Sequence, residues 1–165
     1  MQPKSKTSTD SANLAHEVPW RSQPCNLVPP KLRTKVRRSA VLSYFVRECL
    51  HLYVGTMRDL ESVWGLERDE TDRLGLASPP TWVTNLIGSN ACAEKFGDLA
   101  DIPGFYKCDN LWRLDIDERL ARRGLILPTR DPQRPLLIVG LRVFRHVRDE
   151  KPFILRVRSE GEKGA

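Results

Sequence analysis

Apolar side chains recur with the period of an α-helix along the first half of the chain. After Ser39, which can cap a helix, they stand at i, i+3, i+4, i+7, i+8 and i+11: Leu42, Phe45, Val46, Cys49, Leu50 and Tyr53. Gly55 ends this helix, and shorter stretches of the same type end at Gly65 and Gly75. The pattern predicts four helices, over about 39–54, 56–64, 67–74 and 81–96, with a break or bend of the last at 88–90.

The second half of the chain carries short runs of β type. They are LWRL at 111–114, LILP at 125–128, LLIVGLRVF at 136–144 and FILRVRS at 153–159. Tight connections follow at 131–135 (DPQRP) and 146–152 (HVRDEKP), and a Pro-Gly turn at 102–106 (IPGFY) enters a further short strand. Helices followed by short antiparallel strands are typical of the α+β class, so we expect a helical half and then a small antiparallel sheet.

An arginine interrupts the most apolar of these runs. The segment 136–139 is apolar at every position, which predicts a strand covered on both faces, yet Arg142 follows three residues later beside Gly140. Simple alternation predicts one apolar face, formed by Leu137, Val139, Leu141 and Val143. Burying an unpaired guanidinium costs several kcal/mol. We therefore predict that the other face of the strand leaves the core at Arg142, where the missing side chain of Gly140 would let a ligand's backbone approach.

Length and composition are ordinary for a globular domain with a tail. The chain has 165 residues, of which 40% are hydrophobic and 29% are charged. Its four cysteines stand far apart, without a C-x-x-C pair, which argues against a zinc ribbon or a disulfide framework and fits a reducing compartment. The N-terminus lacks the apolar region of a signal peptide, and no apolar run approaches the ~18 residues that span a bilayer. We expect a cytoplasmic protein without a membrane partner.

Charge is distributed unevenly along the chain. Residues 1–42 carry eight Lys or Arg against two Asp or Glu, residues 43–118 carry seven against fourteen, and residues 119–165 carry twelve against five. The net charge is +6, and two basic segments flank an acidic middle. Such a layout favours a polyanionic partner and can orient the molecule on it.

Three segments follow from these patterns. Residues 1–38 are rich in Ser, Thr, Pro and Lys and are predicted to form a disordered basic arm that ends in the run Lys31–Arg38. Residues 39–159 form the predicted α+β domain, and residues 160–165 form a tail. The run Lys31–Arg38 is either a solvated stretch or a flexible arm that contacts phosphates.

The order of the motifs resembles a known family. WGLERDETDRLGLASPP (64–80), IPGFY, WRL (112–114), GLILPTRDPQRPLLIVGLRVFR (124–145) and KPFILRVRS (151–159) follow one another as in TOPRIM-containing primase-like proteins of phages and plasmids. The likeness covers about 56–159 and corresponds to the region that precedes the TOPRIM domain. It is similar to the N-terminal part of the RNA-polymerase core of bacterial DNA primases.

The resemblance implies a role in the DNA replication of a mobile element. This sequence departs from the family's motifs at several positions. The family's arginine before Gly-Leu is Trp64 here, and the arginine that ends its hairpin falls on Phe144. Polymerisation requires the metal-binding carboxylates of the TOPRIM domain. We therefore expect a primase-like nucleic-acid-binding protein or fragment that is not catalytic alone, with single-stranded DNA or a primer–template as ligand. A TOPRIM or helicase protein is the expected partner, and magnesium would come only through it; we assign no catalytic or metal-binding residue.

Basic side chains are the candidate nucleic-acid contacts. In the sheet they are Arg130, Arg142, Arg145, Lys151, Arg156 and Arg158, and in the arm they are Lys31, Arg33, Lys35, Arg37 and Arg38. Solvent exposure without a ligand is the simpler alternative for the sheet arginines. The pair Asp115 and Asp117 could hold a divalent ion, but the sequence LDIDERLARRG favours a helical turn with Asp117 near its start.

A function of a different class stays open. The acidic middle of the chain, about 59–72 and 94–118, could dock on a basic protein, which would make the chain a small protein–protein adaptor.

Overall fold

The computed structural model describes residues 30–157, with side chains from Leu32 onward, and its architecture is α+β as predicted. The helices are α1 (Pro30–Tyr44), α2 (Val54–Trp64), α3 (Arg68–Leu74) and α4 (Trp82–Phe96). Helix α1 continues as a π-helical turn, Phe45–Cys49, which we call the π turn. The strands are β1 (Phe105–Cys108), β2 (Leu111–Leu114), β3 (Leu125–Asp131), β4 (Arg134–Phe144) and β5 (Phe153–Ile154). They form an antiparallel pair, β1–β2, and an antiparallel sheet in the order β3–β4–β5.

Glycine ends α2 and α3 as the sequence predicts. Gly65 and Gly75 both adopt the left-handed conformation, with φ of 66° and 72°, and their N–H groups bond to carbonyls of the preceding turn. Glu67 and Glu70 form a capping box at the start of α3. Because both helix ends are specified by local interactions, sequence reasoning locates them to within two residues.

Helix α4 is continuous through Gly88, so the predicted break at 88–90 is wrong. The glycine serves close packing instead. A Cβ built at Gly88 would come within 2.8 Å of Cys49 Cβ and 3.1 Å of the Phe45 ring. The absence of a side chain therefore lets α4 lie directly against the π turn.

The prediction of a disordered arm is wrong for residues 30–38, which form the first part of α1. Proline is well tolerated in the first turn of a helix, and the run that follows it carries good helix formers between its charges. Helix α1 packs along β4, and Ser39 Oγ accepts a hydrogen bond of 2.9 Å from the Ile138 N–H. Ser39 therefore lies inside α1 and bonds to the sheet instead of capping a helix. Residues 1–29 and the tail 160–165 lie outside the described residues.

A bulge in β4 changes the phase of its side chains. Thr129 lies opposite Gly140 and Arg130 lies opposite Ile138, so Val139 is an extra residue on β4. Ile138, Leu141 and Val143 consequently face the same core, although simple alternation separates the first from the other two. The prediction that 136–139 is covered on both faces is wrong, since Leu136 is 90% exposed.

Two apolar clusters pack on opposite faces of the β3–β4–β5 sheet. The inner core joins α1, the π turn, α4 and the β1–β2 pair to the sheet face that carries Ile126, Leu141 and Val143. The outer cluster contains Leu60, Leu76, Leu125, Phe144 and Val147. Trp64 of α2 packs edge-to-face on Phe144 at 5.7 Å between ring centroids. The sheet is therefore covered on both faces only near the Leu125–Phe144 pair.

Two asparagines of α4 bind the free edge of β2. Asn85 Oδ1 accepts from the Leu114 N–H at 2.7 Å, and Asn85 Nδ2 donates to the Leu114 carbonyl at 2.9 Å. Asn90 makes the same pair of bonds with Trp112, both at 3.1 Å. The side-chain amides thus replace a neighbouring strand and fix α4 to the β1–β2 pair.

Within residues 30–157, no helix has both the length and the apolar character needed to cross a membrane.

Candidate nucleic-acid interface

Arg142 occupies the centre of the exposed part of the sheet. It lies opposite Leu127 on β3 and Ile154 on β5, so these three side chains share a face. Phe144, two residues along, lies on the same face under α2. Arg142 is exposed, and its guanidinium makes no hydrogen bond or ion pair with any residue in the described range. The outer face of the strand is therefore covered at Phe144 and exposed at Arg142. The predicted direction, with the covered end at Leu136, is wrong, because Leu136 is exposed and Phe144 is buried.

Arg156 reaches the same face from the segment after β5. Leu155 is buried in the inner core, and its N–H donates to the Leu141 carbonyl at 3.2 Å. Successive side chains of an extended chain point in opposite directions, so the exposed side chains of Ile154 and Arg156 point away from that core, as Arg142 does. We call Leu127, Thr129, Gly140, Arg142, Ile154 and Arg156 the outer sheet face.

Gly140 places no side chain on the outer sheet face. A Cβ built at this position would meet no atom within 4 Å apart from its chain neighbours, but the glycine is buried and the Thr129 hydroxyl opposite it is enclosed. The nearest positive charge along the strand is the exposed Arg142. A phosphate-bearing backbone that reaches this face would therefore meet the Arg142 guanidinium first.

The connection between β4 and β5 adds further cations. Arg145, Arg148 and Lys151 are exposed and line an open cleft of about 680 Å³ together with Asp149 and Glu150. Asp149 is partly engaged, because its Oδ2 accepts from the His146 N–H at 2.9 Å. Arg148 was not predicted from the sequence as a nucleic-acid contact. Its position in the turn HVRDEKP, between the predicted contacts Arg145 and Lys151, could have identified it.

Another sheet candidate, Arg130, does not join this group. Arg130 is half-buried, and its Nη1 donates to the Pro135 carbonyl at 3.2 Å within the β3–β4 hairpin. Arg158 lies outside the described residues.

The cations of the basic run have partners inside the fold. Lys35 Nζ lies 2.8 Å from Oδ2 of the buried Asp131, and this hydrogen bond holds the pKa of Asp131 below its ordinary value. Arg37 donates to the Asp101 carboxylate and to the Asp98 carbonyl. Arg38 Nε lies 4.0 Å from Asp101. Arg33 is exposed, and the side chain of Lys31 lies outside the described part. A nucleic-acid contact by this run stays a prediction, but three of its side chains already hold α1 to the domain.

Deleting residues 1–38 is therefore expected to lower the midpoint of thermal unfolding by several degrees. The deletion removes the first part of α1 and leaves Asp131 buried without its cation. Because the pKa of Asp131 is lowered, the stabilisation by the pair is present at neutral pH and is lost as the pH falls through that pKa. A thermal melt followed by circular dichroism measures the effect, and Lys35→Gln isolates the ion pair. An unchanged midpoint would mean that the run is only a tether.

The Asp115–Asp117 pair has a structural role at Asp117. Asp117 caps the 3₁₀ turn Glu118–Leu120, where its Oδ1 accepts from the Arg119 N–H at 2.9 Å. The Arg119 guanidinium also binds this carboxylate and is the main reason that the pKa of Asp117 is lowered, with a smaller contribution from Arg145. Within residues 30–157, no three His, Cys, Asp or Glu side chains are grouped so that they could hold a metal ion. The prediction that Asp117 begins a helical turn is confirmed.

A cavity of about 740 Å³ lies elsewhere, between the π turn and helices α2 and α3. Its lining includes Arg47, Arg58 and Arg68 together with apolar side chains such as Leu50 and Met57. None of the sheet cations lines it. The sheet cations Arg142 and Arg156 are exposed, which suits an extended ligand more than an enclosed small molecule.

No family model, curated protein or solved structure matches this chain. The likeness to primase-like proteins thus depends on the order and spacing of the sequence motifs. It enters the functional argument as a hypothesis.

Proposed function

We propose that this domain binds single-stranded DNA or a primer–template through its outer sheet face and the adjoining β4–β5 connection. It would act as a non-catalytic, primase-like protein, or as such a part of a longer primase, in the replication of a mobile element. A TOPRIM protein or a helicase is the partner that this role calls for, and any magnesium would be held by that partner.

The observation that carries the proposal is that Arg142 and Arg156 both lie on the same face of the sheet and are exposed. Two guanidinium groups face solvent there, and neither has a carboxylate partner in the described range. Phosphate contacts supply a large part of the affinity of proteins that bind single strands, and arginine suits them because its donors form a planar fork. The exposed Ile154 gives the same face apolar surface on which a base could rest, next to Leu127, which is half-buried against the outer cluster.

The charge pattern supports the same function. Lys35, Arg37 and Arg38 are engaged with carboxylates within the chain, whereas the cations of the outer sheet face and of the β4–β5 connection are exposed. Part of the acidic middle is engaged in the same way, because Asp101 binds Arg37. This reduces the acidic surface that the adaptor hypothesis requires.

The proposal predicts salt-dependent binding of single strands. Fluorescence anisotropy of a labelled oligonucleotide, titrated at several salt concentrations, should give a log–log slope of affinity against salt of about −3, for four phosphate contacts at ~0.7 each. Cations on the outer sheet face and the β4–β5 connection, such as Arg142, Arg145, Lys151 and Arg156, would supply these contacts. Binding that is absent at low salt, together with capture of a basic protein through α2 and α3, would favour the adaptor instead.

A further inference from the structure

Two cysteines that stand far apart in the sequence meet between the π turn and α4. Cys49 Sγ lies 3.9 Å from the Gly88 carbonyl oxygen, and a Cβ built at Gly88 would come 3.3 Å from the same sulfur. Cys92 follows Gly88 by one helical turn and so lies on the same side of α4. Cys49 therefore packs against α4 one turn before Cys92, which brings the two side chains near each other. Sequence spacing alone gives no sign of this pair.

The two thiols differ in access and in acidity. Cys49 is partly exposed, whereas Cys92 is 0% exposed within the inner core. The neighbouring Cys92 thiol lowers the pKa of Cys49, against the opposing effects of burial and of Glu48. The neighbouring Cys49 thiol and burial raise the pKa of Cys92. A partly exposed thiol whose pKa is lowered, beside a second cysteine, is the arrangement found in reversible redox sites.

We propose that Cys49 and Cys92 form a reversible disulfide when the protein encounters hydrogen peroxide. Cys49, as the thiolate, attacks one peroxide oxygen; the O–O bond breaks, and the leaving hydroxide takes a proton from solvent to become water. Cys49 is then a sulfenic acid. The Cys92 sulfur attacks the Cys49 sulfur, the S–O bond breaks, and the proton of Cys92 leaves with the hydroxide as a second water. The two sulfurs lose two electrons in total, and the peroxide gains them.

The close approach of α4 favours this bond. Gly88 removes the side chain that would otherwise separate α4 from the π turn, so Cys49 lies directly against α4, one turn before Cys92. The disulfide would fasten α4 to the π turn and close a loop that contains α2 and α3. Cys108 serves as an internal comparison, since it is partly exposed and its thiol lies 3.7 Å from the Asp109 carboxylate.

Peptide mapping of the full chain tests the proposal. The protein is treated with hydrogen peroxide, its remaining thiols are alkylated, and it is digested with trypsin without reductant. Each cysteine lies in a different tryptic peptide, so pairing is read directly by mass spectrometry. Peptides 48–58 and 74–95 should appear as one linked species, and reductant should release both. Cys108→Ser should leave the linked species unchanged.

A trapping experiment separates the two roles. In Cys92→Ser the sulfenic acid at Cys49 cannot be resolved, so a 1,3-dicarbonyl probe should label peptide 48–58 several-fold more than in the unsubstituted protein. The proposal is overturned if peroxide leaves Cys49 and Cys92 as readily alkylated as Cys108. It is equally overturned if linkages to Cys25 or Cys108 are as abundant as the one between Cys49 and Cys92.

Discussion

Replacing Asn85 with leucine is expected to lower the midpoint of thermal unfolding by about 5–15 °C. Asn85 is 6% exposed, and its Oδ1 accepts from the Leu114 N–H at 2.7 Å and from the Ser89 hydroxyl at 3.1 Å. Leucine of similar size would leave both buried donors without an acceptor, at a cost of about 1–3 kcal/mol each. One kcal/mol corresponds to about 2–4 °C in a chain of this size. The Leu114 carbonyl is less affected, because it also accepts from the Ile116 N–H.

Glu94→Leu is the matched control, since it introduces the same side chain at an exposed position of α4. Its expected effect is within ~0.5 kcal/mol. Thermal melts of both variants give the comparison. A midpoint for Asn85→Leu within about 2 °C of the unsubstituted protein would show that the Asn85 bonds do not hold β2 to α4.

Local signals explain which elements the sequence predicts correctly. The ends of α2 and α3 depend on glycines in the left-handed conformation and on a capping box, all within a few residues of each helix end. The Pro-Gly turn before β1 is local in the same sense, with Gly104 at a φ of 87°. The α+β class follows from the order of such elements and was predicted for that reason.

The errors arise where a distant contact decides the structure. The start of α1 was missed because a basic, polar run resembles a solvated arm, whereas the partner of Lys35 is Asp131, 96 residues away. The phase of β4 was missed because the bulge at Val139 depends on the register with β3. The role of Gly88 was misassigned because the π turn that fills its space lies about 40 residues earlier.

The candidate site was predictable in part. Arg142 and Arg156 were both candidates from the sequence, and both are exposed. That they share a face follows from the pairing of β4 with β5. The sequence did not show which residues of the β4–β5 connection line one cleft. Arg148 and Lys151 line the same cleft because of the conformation of the turn, which the residue types alone do not show. The ion pairs of Lys35, Arg37 and Arg38 inside the fold were not predictable, because a sequence does not show which carboxylate a cation will meet.

Changing Arg142 and Arg156 together to glutamine is expected to weaken single-stranded DNA binding steeply at low salt. The substitution removes two positive charges from the outer sheet face and keeps polar side chains of similar reach. If each guanidinium contacts a phosphate, the salt slope should fall in magnitude by about 1.4, at ~0.7 per contact. The fold should be retained, because both side chains are exposed and substitutions at such positions usually cost within ~0.5 kcal/mol.

The matched control is the pair Arg58→Gln and Arg73→Gln, which removes the same charge from exposed positions on α2 and α3. The decisive measurement is the salt slope of single-stranded DNA affinity for these two double variants, side by side with the unsubstituted protein. Loss of about 1.4 in the slope of the Arg142/Arg156 variant, with a near-unchanged slope in the control, is the predicted result. Equal slopes in all three proteins, with unchanged melting midpoints, would contradict the assignment of the outer sheet face as the nucleic-acid interface.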